Sequence, residues 1–229
     1  MKIINRKWIA SGMVAMTLLA SGCQTKVAMP DTVESHYMAA EKLVIMASYE
    51  EALTQYDAAM VCLQTGDAAQ TANVSKGILN FNIGYCYEQI GDYEHAIEYY
   101  TASGQDQESA MLARVALGGV YFKMKNYEAS KACYEEAIDL EADAYEAYVN
   151  LSAVYSLEEN DEYALFLLTK AIDIDGDKPD AYVNRAYIYA CLGNEKEMNA
   201  DIQKLRNMNF AGLDVYVKIF NDTLQEVER

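Results

Sequence analysis

Apolar residues in the middle of this chain recur at helical spacing, stop, and recur again. Across 77–110, Ile78, Phe81, Ile83, Gly84 and Tyr87 share one helical face, Gly91-Asp92 interrupts it, and Tyr93, Ala96, Ile97 and Tyr100 open a second. The spacing predicts a pair of helices of about 12–14 residues, each roughly 20 Å long. The same pattern returns without insertion at 111–144, 145–178 and 179–212. Tyr87, Tyr121, Tyr155 and Tyr189 stand 34 residues apart, and Gly84, Gly118, Ser152 and Ala186 keep the same interval. Ala96, Ser130 and Ala164 keep it as well. A fixed period in this range marks a stack of units, each too small to bury its own apolar face. Small residues at Gly84 and Ala96 sit where two helices approach closely, and Tyr87 and Tyr100 fill the space beside them. Leu213, Val215, Val217, Ile219, Phe220 and Leu224 then predict a capping helix over 213–229.

These residues resemble the tetratricopeptide repeat family. Asn82-Ile83-Gly84-x-x-Tyr87, followed by Gly91-Asp92-Tyr93-x-x-Ala96-Ile97-Glu98-Tyr99-Tyr100, is close to that family's consensus over 77–212. A fifth, degenerate unit is read at 33–66, because Tyr49-Glu-Glu-Ala52-Leu-x-x-Tyr56-x-x-Ala59 matches a second helix. It is out of phase by a ten-residue insert, so 33–76 is assigned to a degenerate first repeat. The last repeat departs from the pattern at Arg185 and Met198. The resemblance implies an all-α, right-handed helical-hairpin solenoid whose first helices line a concave groove. The inward candidates are Phe81 and Tyr85, Val115 and Phe122, Val149 and Ala153, and Val183 and Tyr187. Of these, Phe81, Tyr85, Phe122 and Tyr187 are the expected partner-binding residues, since aromatic groups on a preformed concave surface anchor peptides and partner helices. Some members hold a terminal carboxylate with Lys, Arg and Asn. Asn82, Asn150 and Asn184 are present here, but Lys123 is nearly alone among cations in the groove, which disfavours that mode.

The first 22 residues follow different rules. Lys2, Arg6 and Lys7 precede an apolar stretch from Trp8 to Leu19, too short to span a bilayer as a permanent helix. Leu19-Ala20-Ser21-Gly22-Cys23 resembles the lipobox of bacterial lipoproteins, with Ala20 where leucine is usual. The resemblance implies cleavage before Cys23 and diacylation of its sulfur. Each buried methylene of such an anchor contributes about 0.8 kcal/mol. Residues 23–32 then form the lipidated cysteine and a polar tether containing Pro30, which spans at most roughly 30 Å.

Charge narrows the partners. The chain carries a formal net charge of −17, and losing the three leader cations would make it −20. No basic patch exists for nucleic acid, and anionic headgroups would repel the body, leaving the acyl chains to hold it. Catalytic or metal-binding constellations are also missing from the pattern. His36 and His95 lie in different repeats, no HExxH, CxxC or Ser-His-Asp set assembles, and Gly118-Gly119 falls inside a helix. Asp173-x-Asp175-Gly-Asp177-x-x-Asp180 has its glycine too early for an EF-hand, with Asn184 at the place of the bidentate Glu, and is read as an inter-repeat turn. Cys62, Cys86, Cys133 and Cys191 occupy different places in different repeats and are expected as buried free thiols. No enzyme activity, cofactor or metal is expected.

The sequence therefore predicts a lipid-anchored, extracytoplasmic scaffold or adaptor at the cell or outer membrane. It would capture a peptide or helix segment of an envelope protein in its groove, and an end helix could support homo-oligomers. The alternative is a lipoprotein that captures an extracellular peptide or glycan.

Overall fold

A computed structural model describes residues 32–65 and 74–227. The leader at 1–22, Cys23, the tether to residue 31 and most of the insert fall outside the described residues. Among those described there are eleven α-helices and no strands: α1 (Val33–Ile45), α2 (Tyr49–Thr65), α3 (Lys76–Ile90), α4 (Tyr93–Ser103), α5 (Ala110–Lys123), α6 (Tyr127–Leu140), α7 (Tyr145–Leu157), α8 (Asp161–Ile174), α9 (Asp180–Cys191), α10 (Glu195–Asn207) and α11 (Leu213–Val227). They pack as successive hairpins, α1 with α2 through α9 with α10, and each hairpin rests on the next. No described helix is long and apolar enough to cross a membrane.

The turns explain why the tyrosines recur. Asp92, Asn126, Asn160 and Asn194 donate their backbone N–H to the carbonyls of Tyr87, Tyr121, Tyr155 and Tyr189 at 2.8–2.9 Å. That bond closes the first helix of a hairpin when the preceding residue is left-handed. Gly91 and Gly193 adopt this conformation freely, whereas Lys125 (φ 60°) and Glu159 (φ 61°) adopt it at a cost. Lys125→Gly or Glu159→Gly is therefore expected to stabilise the chain by about 0.5–1 kcal/mol, read as a higher denaturation midpoint. The side chains that follow restart the next helix: Asp92, Asn126 and Asn160 accept from the N–H of His95, Ala129 and Tyr163. Thr32 and Ser35 form a reciprocal capping box on α1, the helix whose pattern is weakest in sequence.

Within the regular hairpins, the small residue of the first helix faces a large one of the second. A Cβ built on Gly84 would stand 2.9 Å from Tyr100, and one on Gly118 only 2.5 Å from Tyr134. Where the opposing residue shrinks to Leu168 or Ile202, the small position grows to Ser152 or Ala186. All four of those residues are buried.

Polar groups tie neighbouring hairpins together. Lys123 pairs with Glu88 at 2.7 Å, Lys131 with Glu158 at 2.8 Å, and Lys178, in the loop leading into α9, with Glu146 at 2.9 Å. Tyr145 accepts from the backbone N–H of Ala181 at 3.1 Å, while Lys178 stands 4.3 Å above its ring. In the α9–α10 hairpin Arg185 grips Asp201 through both oxygens at 2.7 and 2.9 Å.

The α11 helix buries Phe220 and Leu224 against Ala186, Ala190 and Met198. Val215 and Ile219 nevertheless remain 64% and 45% exposed. In register with them, Leu79 and Ile83, Ala113 and Leu117, and Ala147 and Leu151 are all buried. Those residues lie beneath the second helix of their own hairpin, and among the described residues α11 has none.

Candidate partner-binding groove

The four aromatic candidates occupy the first helices of the hairpins, in different surroundings. Phe81 and Tyr85 share α3 and pack beside Ala96 and Tyr100, with the Phe81 ring 5.3 Å from that of Tyr100. Tyr85 is half-buried and meets the edge of Tyr49 at 6.3 Å, and burial pushes its hydroxyl above the usual pKa. Phe122 is half-buried against Tyr127 at 5.6 Å. Tyr187 is 45% exposed, 6.5 Å from Phe220 of α11. The structure joins Phe81 to Tyr85 in one cluster but places Phe122 and Tyr187 apart from them.

Two inward candidates are corrected. Val115 and Val149 are buried, Val115 packing with Ala147 and Leu151 of the following hairpin and Val149 with Ala181 and Ile188. Helical period alone puts them on the same face as Tyr85. Residues of the next first helix pack on that face and cover both valines, while Tyr85 stays half-buried. Ala153 and Val183 are half-buried.

A polar cluster that sequence reasoning missed lies between α1, α2 and α3. The Tyr56 hydroxyl donates to Glu41 Oε1, and Asn82 Nδ2 donates to the same oxygen and to Tyr37 Oη, both at 3.2 Å. Burial, first of all, pushes the Glu41 carboxyl up and the Tyr37 hydroxyl to about 12. The next hairpin repeats the theme differently: Tyr100 donates to Glu88 Oε2 at 2.7 Å, and Lys123 holds the other oxygen. Two hairpins later the amide Nδ2 of Asn150 is buried with no hydrogen-bond partner among the described residues. The ten-residue insert hides these equivalences in the sequence.

Groups that could carry chemistry are occupied structurally. His95 bonds Asp92 at 2.8 Å and stacks on Tyr87, and His36 bonds Gln55. The stretch after α8 is a turn in which Asp177 donates its N–H to Asp175. Among the described residues no three His, Cys, Asp or Glu side chains converge as metal ligands. Cys86, Cys133 and Cys191 are free thiols. Burial pushes Cys86 up to about 12 and Cys133 to about 11. Thiolate is the reactive form, so at pH 8 both should label with a disulfide reagent at least tenfold more slowly in the native chain than in denaturant.

A stack of helical hairpins whose first helices present half-exposed aromatic rings is the tetratricopeptide solenoid, and that is the fold of this chain. The tetratricopeptide repeat family profile matches residues 79–103 and 113–143. No curated protein matches the chain. Among solved structures, a thermophilic tetratricopeptide protein of Thermus thermophilus is similar at TM-score 0.64 and 16% identity, covering 84% of this chain and 99% of that one. A tetratricopeptide repeat protein of Parabacteroides merdae gives 0.62 and 16% identity over 85% of this chain and 72% of its own. YrrB, described as a TPR protein with an unusual peptide-binding site, gives 0.53 and 17% identity over 81% and 91%. At these identities the likeness is one of fold.

Proposed function

We propose that the protein is a membrane-anchored, extracytoplasmic scaffold that captures a peptide or helix segment of an envelope partner along the first helices of its hairpins. The observation that carries this is the aromatic set on that face. Tyr85 and Phe122 keep part of their rings in water, and Tyr187 almost half, while Val115 and Val149 beside them are buried. Half-exposed aromatic rings on a rigid surface offer large contact area at small entropic cost. The peptide-binding site named for YrrB supports the same reading by analogy of fold.

Photo-crosslinking residues placed at Tyr85, Phe122 and Tyr187 in native membranes test this. One dominant envelope protein in the adducts is the expected result, and adducts confined to outer-face control positions would refute groove capture. The anchor rests on Cys23 and the leader before it. Cys23→Ser should move the protein from the membrane to the soluble fraction and abolish palmitate incorporation.

Capture of an extracellular glycan has one observation in its favour. On α8, Tyr163 and Phe166 are exposed and stacked at 5.7 Å, with Lys170 over the Phe166 ring at 5.6 Å. Thermal melts with soluble glycans distinguish the readings: a raised Tm that Phe166→Ala removes would favour the glycan.

A further inference from the structure

The polar cluster around Glu41 has a counterpart in which two members are missing: Val115 stands where Tyr37 stands and Gly119 where Glu41 stands. Tyr56 follows Glu41 by 15 residues, and Asn82 comes from the first helix of the next hairpin. Tyr134 follows Gly119 by the same 15 residues, and Asn150 occupies in α7 the place that Asn82 occupies in α3. Around α5, α6 and α7 both donors are therefore kept, while the carboxylate between them is replaced by hydrogen. Other hairpins lack this combination. The corresponding trios are Tyr85, Tyr100 and Ala116, then Ala153, Leu168 and Asn184, then Tyr187, Ile202 and Lys218.

Three observations describe the place where the carboxylate would stand. A Cβ built on Gly119 would meet only the Tyr134 hydroxyl, at 3.9 Å, unlike Gly118, whose Cβ would strike the Tyr134 ring. Among the described residues Asn150 Nδ2 is buried and meets no acceptor, an unfavourable condition in a protein interior. Finally, among the described residues Tyr134 has no carboxylate partner of the kind that Tyr56 and Tyr100 possess. Its polar neighbour is Ser130, whose own proton goes to the Gly118 carbonyl at 2.8 Å. A buried donor left unpaired by its own chain is open to an acceptor from outside it.

We propose that the notch over Gly119 is a side-chain subsite of the groove that takes the carboxylate of an aspartate or glutamate from the captured segment. Its oxygen accepts from Tyr134 and Asn150 as the Glu41 oxygen accepts from Tyr56 and Asn82. This rests on the groove-capture reading, and it adds the kind of residue the partner must carry. Among the described residues no cation takes part at Glu41, so the subsite recognises an acid by hydrogen bonds rather than by ion pairing. Binding should accordingly depend only weakly on salt.

The chain itself can supply the test, with no partner in hand. Gly119→Ala improves helix propensity alone, whereas Gly119→Glu also restores the missing carboxylate. The Glu variant of the full-length protein should melt roughly 2–4 °C above the Ala variant. That margin should vanish when Asn150→Leu and Tyr134→Phe are added, and Gly119→Asp serves as the shorter second variant. In wild type, titration with N-acetyl-glutamate amide should shift the Asn150 side-chain amide resonances, and Gly119→Glu should abolish the shift. Equal melting of the Glu, Asp and Ala variants, or an Asn150 signal indifferent to the probe, overturns the subsite. Neither result touches groove capture, which stands or falls on the crosslinked adducts.

Discussion

Asp201→Ala is expected to destabilise the protein by about 3–5 kcal/mol, the usual cost of leaving one partner of a buried ion pair alone. The Arg185 side chain is 17% exposed and that of Asp201 5%, and the pair is bidentate. A third contact runs from Arg185 Nη1 to Thr169 at 3.2 Å on the preceding hairpin. Removing the carboxylate strands a guanidinium that cannot lose its proton. The register says what else the site would accept. Ile83, Leu117 and Leu151, all buried, stand where Arg185 stands. Arg185→Leu combined with Asp201→Leu should therefore recover most of the loss, since apolar pairs of similar volume commonly replace buried ion pairs without penalty. Chemical denaturation of the single and double variants checks both statements. A single variant within about 1 kcal/mol of wild type would mean that the pair is far better solvated than its geometry implies.

Gly118→Ala should also destabilise, against the rule that alanine is the better helix former. Propensity favours the substitution by about 1 kcal/mol. Sterics oppose it, because the new methyl would lie 2.5 Å from Tyr134 Cε1 and 2.7 Å from Cδ1. Tyr134 is buried on every side, so the ring cannot yield without moving α6, and overpacking of this kind costs about 1–3 kcal/mol. The steric effect wins, with a net loss of about 1–2 kcal/mol. Adding Tyr134→Leu should reverse the sign of the glycine substitution, because Ser152 opposite Leu168 and Ala186 opposite Ile202 already show that pairing. A thermodynamic cycle over the four proteins measures this coupling, and strict additivity would show that the two residues do not touch.

Much of the fold was legible because the feature that repeats is also the feature that bonds. The tyrosines at 34-residue intervals mark the carbonyls that close the first helices, and the Asp or Asn five residues later completes that bond and, at Asp92, Asn126 and Asn160, also restarts the chain. Gly84 and Gly118 were readable as close approaches for the same reason. The groove was less legible. Val115 and Tyr85 share a helical face in projection, and only the packing of the next hairpin decides that the valine is covered while the tyrosine stays half-buried. Gly118-Gly119 reads only as a pair inside a helix, yet the two differ: a Cβ on Gly119 would meet nothing but the Tyr134 hydroxyl, at 3.9 Å. Its kinship with Glu41 could have been found by counting 15 residues back from Tyr134 and Tyr56. The insert after α2 breaks the 34-residue count that would have drawn attention to it.

The ion pairs Glu88–Lys123, Glu158–Lys131 and Glu146–Lys178 link one hairpin to the next along the stack. Mechanically, the solenoid is a spring whose adjacent coils are pinned by charges at its surface. The screening length falls from about 10 Å at 0.1 M salt to about 3 Å at 1 M, which loosens the pins while the apolar contacts stay in place. The stiffness of the spring should then vary with the ionic medium that bathes it. Small-angle scattering across a salt series would register this as a change in the length of an otherwise folded molecule.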